Sequence, residues 1–167
     1  LDVEARSDAI AGAPAFGKLR VPIMRLTGWA RAFNASSASG AWAIGNTSST
    51  ANRLGQSPGR SPSVFNFFRP GYTPPNSAIA TQGLVAPEFQ ITNEPQVVAY
   101  VNYMAALIVN GAGDFRANYA DILTKADNSA SLVDEVDLLL GAGLGAATKT
   151  SIRAAVDAIA TTASNGL

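Results

Sequence analysis

The sequence contains no histidine and no cysteine among its 167 residues. Without these side chains the chain cannot form a Ser-His-Asp triad, a thiolate nucleophile, a disulfide, or a zinc site built from thiolates and imidazoles. Any catalysis within the chain must therefore use Asp, Glu, Lys, Arg, Tyr, Ser or Thr. Neither a metal ion nor an organic cofactor is expected.

Charged residues are also scarce, at 14% of the chain against roughly 25% in an average domain. The 12 Lys and Arg residues balance 12 Asp and Glu residues. Because no basic excess is present to neutralise phosphates, nucleic acid is not expected as a partner. The low charge fits a surface that another protein partly covers. It fits equally a secreted protein rich in small residues, and both interpretations stay open.

Long apolar runs are missing as well. The longest covers residues 97–109 and is interrupted by Asn102, whereas a membrane-spanning helix needs about 20 apolar residues. We therefore expect no transmembrane helix. The chain starts at Leu1 without a charged and then apolar leader, so we expect no signal peptide within it.

Two segments show clear helical periodicity. The first has apolar residues at helical spacing, and Pro22 places its start near residues 19–22; these residues are Leu19, Ile23, Leu26, Ala30 and Phe33. The second covers residues 93–110, with Asn93 as the N-cap and Gln96 three residues later. Because nearly its whole circumference is apolar, this second helix is expected to be central and buried.

The C-terminal part predicts a helical hairpin. Ser131 is the predicted cap of a helix that Gly141 ends, and a last helix is expected over residues 147–163. A short helix is expected around residues 119–125. The fold class that follows is mainly α: a helical bundle with a long ordered irregular region in the middle and a C-terminal helical hairpin.

The irregular region covers residues 34–92 and is rich in Gly, Ser, Asn, Thr and Pro. It nevertheless contains six aromatic residues, which disordered linkers lack: Trp42, Phe65, Phe67, Phe68, Tyr72 and Phe89. We expect these rings to anchor the region to a core, with a helical turn at 63–68 and a short helix at 77–82. The chain is thus a single domain or a fragment, loop-rich over 34–92 and helical over 93–163.

The few charged groups of the irregular region are candidates for a site. Glu88 is its anion, and Arg60 and Arg69 are among its cations. Buried charges need partners, so one interpretation is a structural ion pair that holds the region in place. Another is half of an active site, in which Glu88, Arg60, Arg69 and Tyr72 supply acid-base and anion-binding groups. Whether the protein is an enzyme stays open.

Two surface interpretations stay open beside these. Trp42 and Tyr72, if exposed, would form a glycan-binding surface at the cell envelope. Arg20, Arg25 and Arg31 lie off the apolar stripe of their helix. One interpretation is that they are solvated, or that their aliphatic stems lie over apolar surface. The other is that they bind an anion or a carboxylate.

Two further patterns have ordinary structural interpretations. Asp134, Glu135 and Asp137 cluster in what is expected to be the first turn of a helix, where acids are favourable. We interpret them as capping or solvated groups rather than as a metal site. The run GAGLG at 141–145 resembles a dinucleotide-binding loop but follows a helix instead of a strand, so nucleotide binding is not expected.

Several segments together resemble the C-terminal part of a large bacterial family, domain of unknown function 1800. The longest is LGQSPGRSPSVFNFFRPGYTPP at residues 54–75, flanked by KLRVPIMRLTGW at 18–29 and APEFQI at 86–91. The resemblance extends over nearly the whole chain. It implies a helical protein, usually carrying an export signal, that often accompanies a second exported protein of the sulfatase-like type. No catalytic residues can be carried over from it.

The resemblance also implies that family members are much longer than this chain. Leu1-Asp2-Val3-Glu4 resembles an internal position, so the chain is expected to be the C-terminal piece of an exported protein, periplasmic or extracellular. Its expected role is structural or interactive: to pack on the remainder of the parent chain or on another exported protein.

Overall fold

A computed structural model describes residues 7–13, 16–141 and 143–159. Within these residues the fold is mainly α, as the sequence predicts. The α-helices are α1 (Asp8–Ala11), α2 (Pro22–Ala32), α3 (Ala78–Thr81), α4 (Glu94–Asn110), α5 (Ala120–Leu123), α6 (Ser129–Leu140) and α7 (Ala146–Asp157). A 3₁₀ helix (Pro87–Ile91) and two short strands, β1 (Ser36–Ser37) and β2 (Phe115–Arg116), complete the structure.

Helix α2 supplies one side of the core. Pro22 occupies its first position, where the missing N–H costs nothing. From there, Leu26, Trp29 and Phe33 point inward and are buried. Leu26 and Phe33 belong to the predicted stripe, whose other members are partly buried, and Trp29 is an addition to it. The core cluster combines them with residues from α4, β2 and the irregular region: Leu54, Met104, Leu107 and Phe115.

Helix α4 begins and ends where the sequence predicts. The side chain of Asn93 accepts a hydrogen bond from the Gln96 N–H at 3.1 Å, and Gly111 ends the helix with φ 66° and ψ −160°. Ala99, Met104 and Leu107 are buried. The prediction that the whole helix is buried is wrong, because the described elements cover only this arc of its circumference.

A polar seam, rather than aromatic rings, holds the first half of the irregular region. The Thr47 hydroxyl donates to the Gln56 carbonyl oxygen at 2.6 Å, and the Gln56 side-chain oxygen accepts from the Ile23 N–H at 3.1 Å. Leu54 enters the core between these residues, and its N–H donates to the Thr47 carbonyl. The buried Thr47 hydroxyl and the Gln56 side-chain oxygen therefore both have partners, which is the condition for burying them at low cost.

The aromatic residues of the irregular region lie nearer the surface than the sequence predicts. Trp42 and Phe65 are exposed, and the others are only partly buried. The segment 63–68 forms an isolated bridge between Ser63 and Asn66, not a helical turn. The predicted helix at 77–82 is confirmed as α3, with the Ser77 side chain accepting from the Ala80 N–H.

Strands β1 and β2 tie the start of the irregular region to the segment after α4. They pair antiparallel, with Ser36 opposite Arg116 and Ser37 opposite Phe115. The side chain of Phe115 is 1% exposed, and its ring contacts the Trp29 ring edge-on at 6.0 Å. This small ladder therefore fixes a central core residue.

Helices α6 and α7 form the predicted hairpin and pack against each other. Helix α6 starts earlier than expected: Asn128, not Ser131, is its cap, and the Asn128 side chain accepts from the Ser131 N–H at 2.9 Å. Gly141 adopts the left-handed conformation that ends α6. The sequence predicts that the last helix continues to residue 163, but α7 ends at Asp157 with Ala158 as its C-cap; residues 160–163 lie outside the described residues.

Candidate functional site

The charged groups proposed from the sequence lie on two neighbouring segments and one separate loop. Glu88 is in the 3₁₀ helix, partly buried, and lines a groove of about 790 Å³ together with Lys18, Phe68 and Phe89. No ion pair joins Glu88 to an arginine among the described residues. No contact between Glu88 and an arginine therefore supports the predicted carboxylate–arginine site, which stays a prediction.

Arg69 and Tyr72 reach the Glu88 segment through the backbone. The Arg69 N–H donates to the Gln90 side-chain oxygen at 2.7 Å, and the Tyr72 carbonyl accepts from the Ala86 N–H at 2.8 Å. These bonds align segments 69–73 and 84–90 without bringing the arginine side chain into the Glu88 groove. Arg60 lies apart, on an exposed turn closed by its N–H to the Ser57 carbonyl.

The acidic cluster of α6 faces cations of the hairpin. Lys149 of α7 pairs with Asp134 at 3.0 Å and with Asp137 at 2.7 Å, and Arg153 pairs with Asp134 at 2.8 Å. The Lys149 ammonium lowers the pKa of both aspartates, and they in turn raise the pKa of Lys149. The acids lie beyond the first turn of α6 and do not cap it. Asp134 and Asp137 bridge the hairpin, whereas Glu135 pairs with Lys125, which precedes α6.

The three arginines of the α2 region differ in their contacts. Arg20 donates to the Leu140 carbonyl at 2.9 Å and so binds the C-terminal end of α6. Arg25 donates to the Arg20 carbonyl at 2.7 Å, and its guanidinium lies 4.9 Å from the centre of the Tyr100 ring. Arg31 is exposed, and no side-chain hydrogen bond or ion pair involves it among the described residues.

The segment between β1 and residue 45 presents Trp42 in an unusual conformation. Trp42 has φ 47°, a left-handed value that is strained for a bulky side chain. Its ring is 52% exposed and tilts over the Phe115 ring at 5.7 Å. A strained conformation persists only where the surrounding structure imposes it. The contacts of this loop must therefore stabilise the backbone conformation of Trp42.

Asp114 imposes the conformation through a short relay. Its carboxylate accepts from the Ser37 hydroxyl at 2.9 Å and from the Ser39 N–H at 2.6 Å. The Ser37 oxygen in turn accepts from the Trp42 N–H at 3.1 Å. These hydrogen bonds, that from the Ser39 backbone foremost, lower the pKa of Asp114 below its ordinary value of 3.8.

Removing the Asp114 carboxylate is expected to free the Trp42 loop. In Asp114→Ala, hydrogen exchange of the Ser39 and Trp42 amides, corrected for intrinsic rates, should accelerate by about tenfold because a charge-assisted acceptor is lost. The lowered pKa means that the carboxylate stabilises the loop above pH 3.8, and that this contribution disappears as the pH falls through the folded-state pKa.

The matched control for this prediction is Asp127→Ala, which removes an exposed aspartate elsewhere. It should leave both amides unchanged. Equal protection in the two variants, or protection of the Trp42 amide that is insensitive to acid in the unmodified chain, would contradict the relay.

An extended apolar surface lies on α4, on the arc opposite to the core. Five large residues there are between 41% and 80% exposed: Val97, Val98, Val101, Ile108 and Val109. At about 100° per residue they occupy one continuous stripe, together with exposed Ala105. Glu94, in the first turn, is the helix's charged residue. We call this stripe the α4 face.

Other classes of site find no support among the described residues. No group of three or more acidic side chains in the described ranges is arranged to hold a metal ion. Among the helices described, none combines the length and apolar character required to cross a membrane.

A comparison of the sequence with protein families gives one match. The model described as "Protein of unknown function (DUF1800)" matches residues 2–166, essentially the whole chain, which confirms the resemblance found in the sequence. No curated protein and no solved structure matches the chain.

Proposed function

The chain belongs to the DUF1800 family of proteins of unknown function, and we propose that it is an exported structural and interaction module whose α4 face packs against the remainder of its parent protein. The family resemblance supports both export and a longer parent protein as parts of this proposal. Recovery of the parent protein in the cytoplasmic fraction of its bacterium would contradict export.

The observation that carries the proposal is the double-sided character of α4. Its buried arc holds Ala99, Met104 and Leu107, and the α4 face holds a second apolar stripe with Val101 at its centre. A surface helix normally shows a single apolar stripe opposite a charged face. A helix that is apolar on both sides is expected inside a larger core, with elements packed against each of them.

The apolar, uncharged character of the α4 face favours a partner that is itself apolar and permanently bound. The residues from Val97 to Val109 include no charge, so an electrostatically guided, transient partner finds little to bind. Burying the five large side chains would contribute roughly 1 kcal/mol each. Val97, Val101, Ala105 and Ile108 follow the spacing at which helices pack on helices, so the partner surface is expected to be helical.

The test compares two neighbouring substitutions in the full-length parent protein. Val101→Asp places a charge at the centre of the α4 face, and Asn102→Asp places one at its exposed edge. After limited proteolysis at the N-terminal boundary of this chain, the pieces of the unmodified parent should co-elute. Val101→Asp should weaken their association by roughly 2 kcal/mol, and Asn102→Asp should have little effect.

The isolated chain provides a second measurement. We expect it to bind an apolar dye and to self-associate, and we expect Val101→Asp to reduce both while changing the free energy of unfolding by less than about 0.5 kcal/mol. A monomeric chain without dye binding, together with equal behaviour of the two variants in the parent, would refute the proposal.

The half-site and glycan interpretations stay predictions. The enzyme hypothesis has no contact that joins Glu88 to Arg60 or Arg69. The glycan hypothesis keeps one exposed ring, Trp42, whereas Tyr72 is partly buried and does not line the same groove.

A further inference from the structure

A second apolar surface, separate from the α4 face, is the groove below Trp42. It has a volume of about 590 Å³, within the range typical of small-molecule sites. Leu26 of α2 and Phe115 of β2 contribute to its lining, and Ile44 and Trp42 contribute from the irregular region. We propose that this groove binds an amphiphilic anion, with the apolar chain below the Trp42 ring and the anionic group at Arg31.

The shape of the groove accounts for the apolar part of such a ligand. Leu26 and Phe115 belong to the core and give the groove a rigid apolar base. The Trp42 ring is half exposed and is held over Phe115 by the Asp114 relay. The relay therefore keeps a large apolar side chain at the surface in a strained backbone conformation, which is the arrangement of a ligand clamp.

The charge of the groove accounts for the anionic part. Arg31 is the charged residue of its lining, and no aspartate or glutamate lines it among the described residues. Unlike Arg20 and Arg25, Arg31 is not engaged by a carbonyl or a ring within those residues. Its guanidinium offers the paired donors that match a carboxylate. Thr27 and Asn34 supply further polar groups of the lining.

An amphiphilic anion fits this lining better than a sugar does. A sugar ring presents hydroxyls on all sides and needs many polar partners, whereas the lining polar groups here are few and lie beside apolar walls. The proposal is independent of the α4 face, because the two surfaces share none of their residues.

The experiment uses calorimetry with three amphiphiles of one chain length, each below its micelle concentration. Dodecanoate should bind the chain, and dodecyl maltoside and dodecyltrimethylammonium should bind at least about tenfold more weakly, since only dodecanoate can pair with Arg31. Dodecanoate should also protect Trp42, the exposed one of the two tryptophans, from fluorescence quenching by acrylamide.

Substitutions then locate the site. Arg31→Gln should weaken dodecanoate binding by about tenfold, Arg31→Lys should restore part of it, and Arg31→Glu should reverse the preference toward dodecyltrimethylammonium. Arg60→Gln is the matched control, because Arg60 is exposed and does not line the groove. Val101→Asp should leave binding unchanged, which separates this site from the α4 face.

Three outcomes would overturn the proposal. They are the absence of dodecanoate binding, equal binding of dodecanoate and dodecyl maltoside, and equal losses in Arg31→Gln and Arg60→Gln. Preferential binding of the maltoside would favour the glycan interpretation instead. Failure of this experiment would leave the α4 face proposal intact, since that proposal is tested by association of the parent's two parts.

Discussion

Replacement of Phe115 by alanine is expected to lower the free energy of unfolding by about 4 kcal/mol, the largest effect of any substitution considered. The Phe115 side chain is 1% exposed and is part of the core cluster. Its ring contacts those of both Trp29 and Trp42, with centroid distances of 6.0 Å and 5.7 Å. Truncation removes both aromatic contacts and leaves a cavity that the short ladder cannot collapse to fill. Urea unfolding followed by circular dichroism measures the change.

Phe65→Ala is the matched control for Phe115→Ala. The Phe65 ring is 59% exposed, at the tip of the bridge between Ser63 and Asn66. The same truncation there should change the free energy of unfolding by less than about 0.5 kcal/mol. Comparable losses in the two variants would show that Phe115 is not a central core residue.

Replacement of Gly111 by alanine is expected to cost about 3 kcal/mol. Gly111 ends α4 with φ 66° and ψ −160°, a conformation that essentially only glycine adopts. A Cβ atom there would also collide with the Phe115 carbonyl oxygen and the Arg116 side chain. The variant therefore has to shift β2 or the end of α4. The same urea unfolding measures the loss.

Gly28→Ala provides the contrast for Gly111→Ala. Gly28 lies inside α2, and a Cβ atom built on it meets no atom within 4 Å among the described residues. Because alanine loses less backbone entropy than glycine in a helix, this variant should gain about 0.5–1 kcal/mol. If both variants destabilised the chain equally, glycine loss in general, rather than the geometry at Gly111, would be responsible.

The sequence predicts the local elements of this fold well, because caps and terminators act over a few residues. Asn93 and Gly111 mark the ends of α4, and Gly141 ends α6, each through its own backbone and side-chain geometry. The start of α6 differs because Asn128 and Ser131 both suit a cap, and nothing local decides between them. No pattern in the sequence predicts the two strands, because two residues are too few to show an alternation of apolar and polar side chains. Their pairing depends on the packing of the segments that they connect.

Burial depends on contacts between distant segments, which the sequence does not reveal as directly as it does secondary structure. The apolar circumference of α4 predicts a central helix, yet composition cannot say which elements cover each arc. In the irregular region, the aromatic rings suggested anchors to the core, whereas Leu54 and the hydrogen bonds of Thr47 and Gln56 hold it. Polar residues that satisfy each other across distant segments leave no periodic pattern.

The candidate sites likewise depend on contacts between distant segments, which the sequence does not predict. Glu88, Arg60 and Arg69 stood out because charge is scarce, but scarcity alone does not bring side chains together. The importance of Asp114 depends on contacts with residues 37 and 39, far away along the chain. In the sequence, Arg31 is indistinguishable from Arg20 and Arg25, since all three lie off the apolar stripe of their helix. Only the structure distinguishes them, because the other two have partners within the fold.

The pairing of β1 with β2 has a consequence for how this chain tolerates insertions. The ladder joins Ser37 to Phe115 and encloses residues 38–114, which include nearly all of the loop-rich region, the exposed turn at Arg60 and the whole of α4. The entropy of closing a loop grows slowly, by about 0.6 kcal/mol for each doubling of its length. Insertions at exposed turns within this span of the chain are therefore expected to have little thermodynamic cost. A shift of one residue within the ladder itself would turn Phe115 out of the core.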